Sequence, residues 1–165
     1  MKTDLFVGID GGLKGGISGI DIGGNIIFKM EMPILSSYYN TSELLKLFED
    51  LKEKYNLKVI LEEVMIIPII SKKALGNMKE MFGLTKGILL TLKISFEVVR
   101  AVTWQKKIFL GVCAKDTKEA SIKWCTQKYP NEDFRKNKRS RIIHDGITDS
   151  VCMANFCLMR EKGVK

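Results

Sequence analysis

Three short apolar runs crowd into the first 32 residues, joined by two turns containing glycine, and strand-like and helical periods alternate after them. Leu5 to Asp10 is rich in β formers and closes in Asp10-Gly11-Gly12, Ile17 to Ile22 follows, and Gly23-Gly24-Asn25 leads into Ile26 to Met32. Turns this tight join neighbouring strands, so the start of the chain predicts an antiparallel meander. Next comes a helix, capped by Asn40 or Thr41 with Glu43 at the capping-box position, with Leu44, Leu47, Phe48, Leu51 and Tyr55 at helical spacing. Leu57 to Leu61 is a continuous apolar strand ending in Glu62-Glu63, and Pro68 places a loop beyond it. Lys72 to Leu92 predicts a long helix whose Gly76, Gly83 and Gly87 would allow close helix packing. Phe96 to Val99 predicts another core strand, and Trp104 to Leu110 a short helix ending at Gly111. Asp116, with Glu119 as capping partner, starts a helix to about Tyr129 that Pro130 stops. Asn131 to Arg141 is a polar loop, and Ile143 to Arg160 the last helix, with Ile143, Ile147, Val151, Ala154 and Leu158 on its core face. No repeat or interdomain linker interrupts the order, and 165 residues, 45% of them hydrophobic, suffice for one α/β domain over residues 1–165.

Charge narrows the partners. Lys and Arg number 27 against 19 Asp and Glu, a formal +8, which suits a polyanionic partner, nucleic acid being the common one, with a merely soluble basic protein as the equal alternative on charge alone. Cys113, Cys125, Cys152 and Cys157 form no CxxC pair and share the chain with a single histidine, His144, too few ligands for a structural zinc site. Free, mostly buried thiols in a reducing compartment are expected. The start of the chain runs directly into a strand without a signal-peptide core, and no long apolar span follows, so an intracellular protein without membrane insertion is expected.

Against this basic background, acids stand at the ends of core elements. Asp10 closes the first strand, Glu62 closes the strand after the first helix, and Asp145 and Asp149 lie one turn apart at the start of the last helix. Each has an ordinary reading: Asp10 as a turn former, Glu62 or Glu63 as an exposed strand end, Asp145 and Asp149 as complements to the helix dipole. Jointly they point elsewhere, because clustered carboxylates repel unless cations neutralise them. Hard oxygen ligands suit Mg²⁺ or Mn²⁺, and two such ions can clamp an in-line phosphoryl displacement. Alternation along a strand sends Glu62 and Glu63 to opposite faces, so only one of them can join the site.

The ordered set of motifs resembles the RuvC-type Holliday junction resolvases. Phe6-Val7-Gly8-Ile9-Asp10-Gly11-Gly12 resembles their first-strand motif and Leu61-Glu62-Glu63-Val64 their second. Val102-Thr103-Trp104-Gln105-Lys106-Lys107, with Gly111 and then Lys118, resembles the basic third motif. His144-Asp145-Gly146-Ile147-Thr148-Asp149-Ser150 resembles the final motif in its phage, poxvirus and organellar form. The resemblance implies an RNase H-like mixed five-stranded sheet, three antiparallel strands then parallel ones, flanked by helices. It implies a homodimer that resolves four-way DNA junctions by paired nicks, with Asp10, Glu62 and Asp149 as metal ligands and two Mg²⁺ ions per site. It suggests phosphate contacts for Lys106 or Lys107 and for Lys118, and a junction-wedging role for Met65, for which a core or dimer contact is the alternative. One departure from the bacterial pattern is the spacing of Asp145 and Asp149, which leaves Asp145, or else His144, to complete the ligand set.

Arg135, Lys136, Lys138, Arg139 and Arg141 crowd the loop before the acidic helix, and Lys72, Lys73, Lys79 and Lys86 line the long central helix. Such residues would bind phosphates with steep salt dependence, or else form solvated faces. No base-reading motif is visible, which fits recognition of DNA shape. The rival readings are an RNase H-like nuclease for another branched DNA or an RNA–DNA hybrid, an actin-like-fold phosphotransferase suggested by Ile9-Asp10-Gly11-Gly12, and a non-catalytic DNA-binding module.

Overall fold

Strand β1 (Thr3–Asp10) divides the core between its two sides. Leu5, Val7 and Ile9 point into one buried cluster and Phe6 into the other, as alternation along a strand requires. The computed structural model describes residues 2–36, 38–65 and 71–163. Strands β2 (Gly16–Ile20) and β3 (Ile26–Glu31) fold back antiparallel, with Asp10 opposite Gly16 and Ile17 opposite Met30. A small hairpin of β4 (Ile34–Leu35) and β5 (Tyr38–Tyr39) follows; two residues per strand are too few to show a period, so the sequence pattern does not predict it.

Helix α1 (Thr41–Lys54) starts at the expected cap, Asn40, whose side chain accepts a hydrogen bond from the Glu43 N–H. Glu43 returns to the Asn40 side-chain amide at 3.0 Å, a variation on the capping box. Strand β6 (Tyr55–Glu62) then lies parallel to β1, with Leu5 opposite Leu57 and Ile9 opposite Leu61. The loop expected at Pro68 falls outside the described residues. Beyond it come α2 (Lys72–Thr91), β7 (Phe96–Val99) parallel to β6, and α3 (Ala101–Ile108), α4 (Thr117–Lys128) and α5 (Asp145–Glu161).

The five-stranded sheet has the order β3-β2-β1-β6-β7, antiparallel on one side of β1 and parallel on the other, as expected. Helices α1 and α2 cover one face through Leu44, Phe48, Leu51, Met81, Ile88 and Leu89. The other face is covered by α3, α4 and α5, and α5 is buried at every position from Gly146 to Ser150 except Asp149. Helix α3 begins at Ala101, ahead of the expected Trp104, because Arg100 takes over directly from β7 as the N-cap. Trp104 therefore sits mid-helix, fully buried.

Close approach fixes the position of α5. A Cβ on Gly8 of β1 would lie 2.2 Å from the Ser150 carbonyl oxygen and 2.5 Å from the Ala154 nitrogen, so only glycine lets the helix backbone settle on the strand. By contrast, a Cβ on Gly76, Gly83 or Gly87 would meet nothing within 4 Å, so the close packing expected of those glycines is not made within this chain. As expected, the cysteines are free; Cys125, Cys152 and Cys157 are buried, whereas Cys113 is exposed. Among the described residues no helix is long and apolar enough to cross a membrane.

Candidate active site

The parallel pairing of β1 with β6 puts the ends of both strands at the same edge of the sheet. Ile9 and Leu61 are register partners, so Asp10 and Glu62, the next residues along, leave the sheet side by side. The N-terminus of α5 is delivered to the same place. A Cβ on Gly16, the register partner of Asp10, would stand 2.5 Å from the Gly146 carbonyl oxygen. One on Gly146 would stand 2.2 Å from the Lys14 carbonyl oxygen. Backbone thus packs on backbone where α5 meets the turn after Asp10, and Asp145 and Asp149 arrive beside the strand-end acids.

The electrostatics follow from that crowding. The Asp10 carboxyl is pushed well above the usual carboxylate range, first by burial, then by the charges of Glu62, Asp149 and Asp145, with Lys118 opposing. Asp149 rises to about 7, chiefly through burial, with Glu62 and Asp145 adding to the effect while the Ser121 hydroxyl and Lys118 oppose it. Glu62 also rises through burial, against a hydrogen bond from Trp104. Asp145 behaves differently. Burial works to raise it, but the Lys118 ammonium, 2.8 Å away, outweighs burial and holds it below the usual range. The cluster therefore divides into an acid with its own counterion and three acids whose ionised forms lack adequate compensation.

Side chains from other elements stand around the acids. Trp104 Nε1 donates to Glu62 Oε2 at 2.8 Å. On α4, Ser121 Oγ lies 3.0 Å from Thr148 Oγ1, beside Asp149. Tyr39 of the small hairpin accepts the Gly12 N–H through its hydroxyl at 2.9 Å, tethering the turn that follows Asp10. The sequence alone assigns none of these residues such a role. Trp104 stands there only as part of a motif; that a buried indole N–H must find an acceptor is the signal that could have found it. Glu62 and Glu63 separate as alternation requires: Glu62 faces Trp104 and the acids, whereas Glu63 is exposed.

His144 caps α5, its Nδ1 accepting the Ile147 N–H at 3.3 Å, and its Nε2 lies 3.9 Å from Glu31 Oε2. Lys118 is the cation brought to the acids. Lys106 and Lys107 are exposed on α3, and Lys107 lines a groove with Phe156, Met159 and Arg160, alongside the far half of α5. The basic loop also divides. Arg135 is held by Asp133 and Lys136 by Glu31, while Lys138, Arg139 and Arg141 are exposed and make no ion pair among the described residues. Lys72 and Lys73 are exposed at the start of α2, and Met65 is 39% exposed just beyond Glu62.

The donor set at this edge is made of carboxylate oxygens, the ligand type of Mg²⁺ and Mn²⁺ rather than of zinc or copper. Buried, mutually repelling carboxylates fit a bound cation in charge as well. No three such side chains already stand together at ligating spacing among the described residues. Of the four acids, Asp145 is paired with Lys118.

No family model matches the chain, and no curated protein matches it in sequence. Solved structures do. RuvC of T. thermophilus in complex with a Holliday junction substrate superposes with a TM-score of 0.65 at 8% identity, over 99% of this chain and 97% of that one. The Thermus thermophilus RuvC structure gives 0.62 at 12% identity, over 96% of each chain. The yeast mitochondrial Holliday junction resolvase Ydc2 gives 0.60 at 14% identity, over 95% of this chain and 78% of that one. The chain therefore has the RNase H-like fold of these proteins.

Proposed function

We propose that this chain is a divalent-metal-dependent endonuclease that nicks four-way DNA junctions. The observation that carries the reading is the placement of Asp10 and Glu62 at adjacent strand ends beside the start of α5, which carries Asp149, with burial pushing each of the three toward protonation. The basic charge of the chain and its fold likeness to a RuvC bound to a Holliday junction substrate point the same way.

Asp10, Glu62, Asp149 and Asp145 are the residues that would hold Mg²⁺ or Mn²⁺. When bound, two such ions supply activation of the attacking water and stabilisation of the leaving 3′ oxygen. The protein's own groups do the rest. Lys118 sets a positive charge beside the acids, where it would meet the charge that develops on the phosphate. Lys138, Arg139 and Arg141 supply exposed cations on the loop leading into α5, and Met65, exposed just beyond Glu62, would press against an opened base step. Junction symmetry favours a homodimer, each copy nicking one of two opposed strands. The open glycine side of α2 would accept a second copy closely.

The test compares cleavage of a synthetic four-way junction, a linear duplex and an RNA–DNA hybrid, with and without Mg²⁺, by the wild type and Asp10→Asn. Mg²⁺-dependent nicking of the junction is expected, with Asp10→Asn still binding the junction but not cutting it. Equal nicking of the linear duplex, or preference for the hybrid, would overturn the junction assignment. No Mg²⁺-dependent nicking of any substrate would overturn the nuclease assignment.

A further inference from the structure

We infer that Trp104 is a positioning residue for the metal site, acting through Glu62. The inference rests on the nuclease reading above and adds a residue to it. Its basis is a contact that spans 42 positions of sequence: the indole Nε1 of Trp104 donates to Glu62 Oε2 at 2.8 Å. Indole is a donor only, and a buried donor without an acceptor is costly, so Trp104 has one bond to make and makes it to an acid of the site.

The ring cannot move away. Trp104 has no exposed surface, and Phe109 packs edge-on against it with ring centroids 5.4 Å apart. The helix that carries it starts immediately after β7, whose last residue, Val99, is the register partner of Glu62. Glu62 and Trp104 are thus fixed to adjacent points of the same sheet edge. The bond ties the Glu62 carboxylate to a fixed donor and leaves it lone pairs for a cation. A group that fixes a ligand in this way raises metal affinity by removing the cost of ordering it, and loss of such a partner typically weakens metal affinity or activity about 10–100-fold.

Trp104 also reports on its own environment. The chain contains two tryptophans, and the other, Trp124, lies on α4 against Tyr129 and Lys128. A Trp124→Phe protein isolates the Trp104 emission. On titration with Mn²⁺, a paramagnetic quencher, that emission is expected to fall saturably and recover on chelation. In the same background Trp104→Phe keeps a buried ring but removes the donor. It is expected to remain folded, to bind the junction with unchanged affinity, and to need about tenfold more Mg²⁺ for half of the maximal thermal stabilisation and for half-maximal nicking.

Trp104→Phe with an unchanged Mg²⁺ requirement in both readouts would overturn the inference while leaving the nuclease reading intact. Should Trp104→Phe not fold, the Mn²⁺ titration of the Trp124→Phe protein decides: emission unaffected by saturating Mn²⁺ would overturn the inference. Absence of Mg²⁺ binding and of nicking in the wild type would overturn the nuclease reading, and this inference with it.

Discussion

At the scale of single residues, the uncompensated acids make the site costly to the fold when no cation is bound. Asp149 rises from an ordinary 3.8 to about 7 on folding, so the folded chain holds this proton more tightly than the unfolded chain. The stability linked to it is complete below the unfolded value and is lost as pH rises through about 7, amounting to at most about 4 kcal/mol. Metal-free protein is thus expected to become less stable to urea between pH 4 and pH 8, with Mg²⁺ restoring stability at pH 8 and doing little at pH 5. Asp149→Asn, neutral throughout, is expected to flatten that profile, gain stability at pH 8 without metal, and lose nicking. A profile identical to the wild type would show that Asp149 is not strained in this way. Lys118→Met tests the paired acid: with its ammonium partner gone, Asp145 is expected to titrate higher, an effect readable by carboxyl NMR.

At the scale of elements, the approach of α5 to β1 and β2 brings Asp145 and Asp149 toward the strand-end acids, and glycine permits it. Gly8→Ala would drive a methyl into the α5 backbone, and overpacking of this kind typically costs about 1–3 kcal/mol. Because the helix must shift to relieve the clash, nicking is expected to fall more than stability predicts in assays on fully folded material. A variant as active as the wild type would show that the site tolerates displacement of α5. The elements themselves were largely legible in the sequence, since β1, β6, α1, α4 and α5 carry clear periods and caps such as Asn40 and Asp116. The acids were legible for a related reason: Asp10, Glu62 and Asp145 sit at ends that the pattern marks. The supports were not. Trp104 to Glu62, Ser121 to Thr148 and Tyr39 to Gly12 are tertiary contacts between elements, and no local period encodes them. Nor could charge alone show that Arg135 and Lys136 are engaged by Asp133 and Glu31 while Lys138, Arg139 and Arg141 make no such pair among the described residues.

At the scale of the whole molecule, a basic chain bears an acidic edge, an arrangement that makes sense when cations stand between carboxylate and phosphate. Binding to DNA should release counterions, so junction affinity is expected to fall linearly on a log–log plot against salt. Removing Lys138, Arg139 and Arg141 together should lower that slope by roughly 0.9 for each phosphate no longer neutralised. An unchanged slope would place the DNA on another surface. The most direct test of the shared-ion site is calorimetric titration of Mg²⁺ into the protein, beside Asp10→Asn, Glu62→Gln and Asp149→Asn. If acids from β1, β6 and α5 grip the same ions, the wild type should bind two Mg²⁺ per chain and each single substitution should weaken that binding. Mg²⁺ binding that none of the three substitutions disturbs would contradict it.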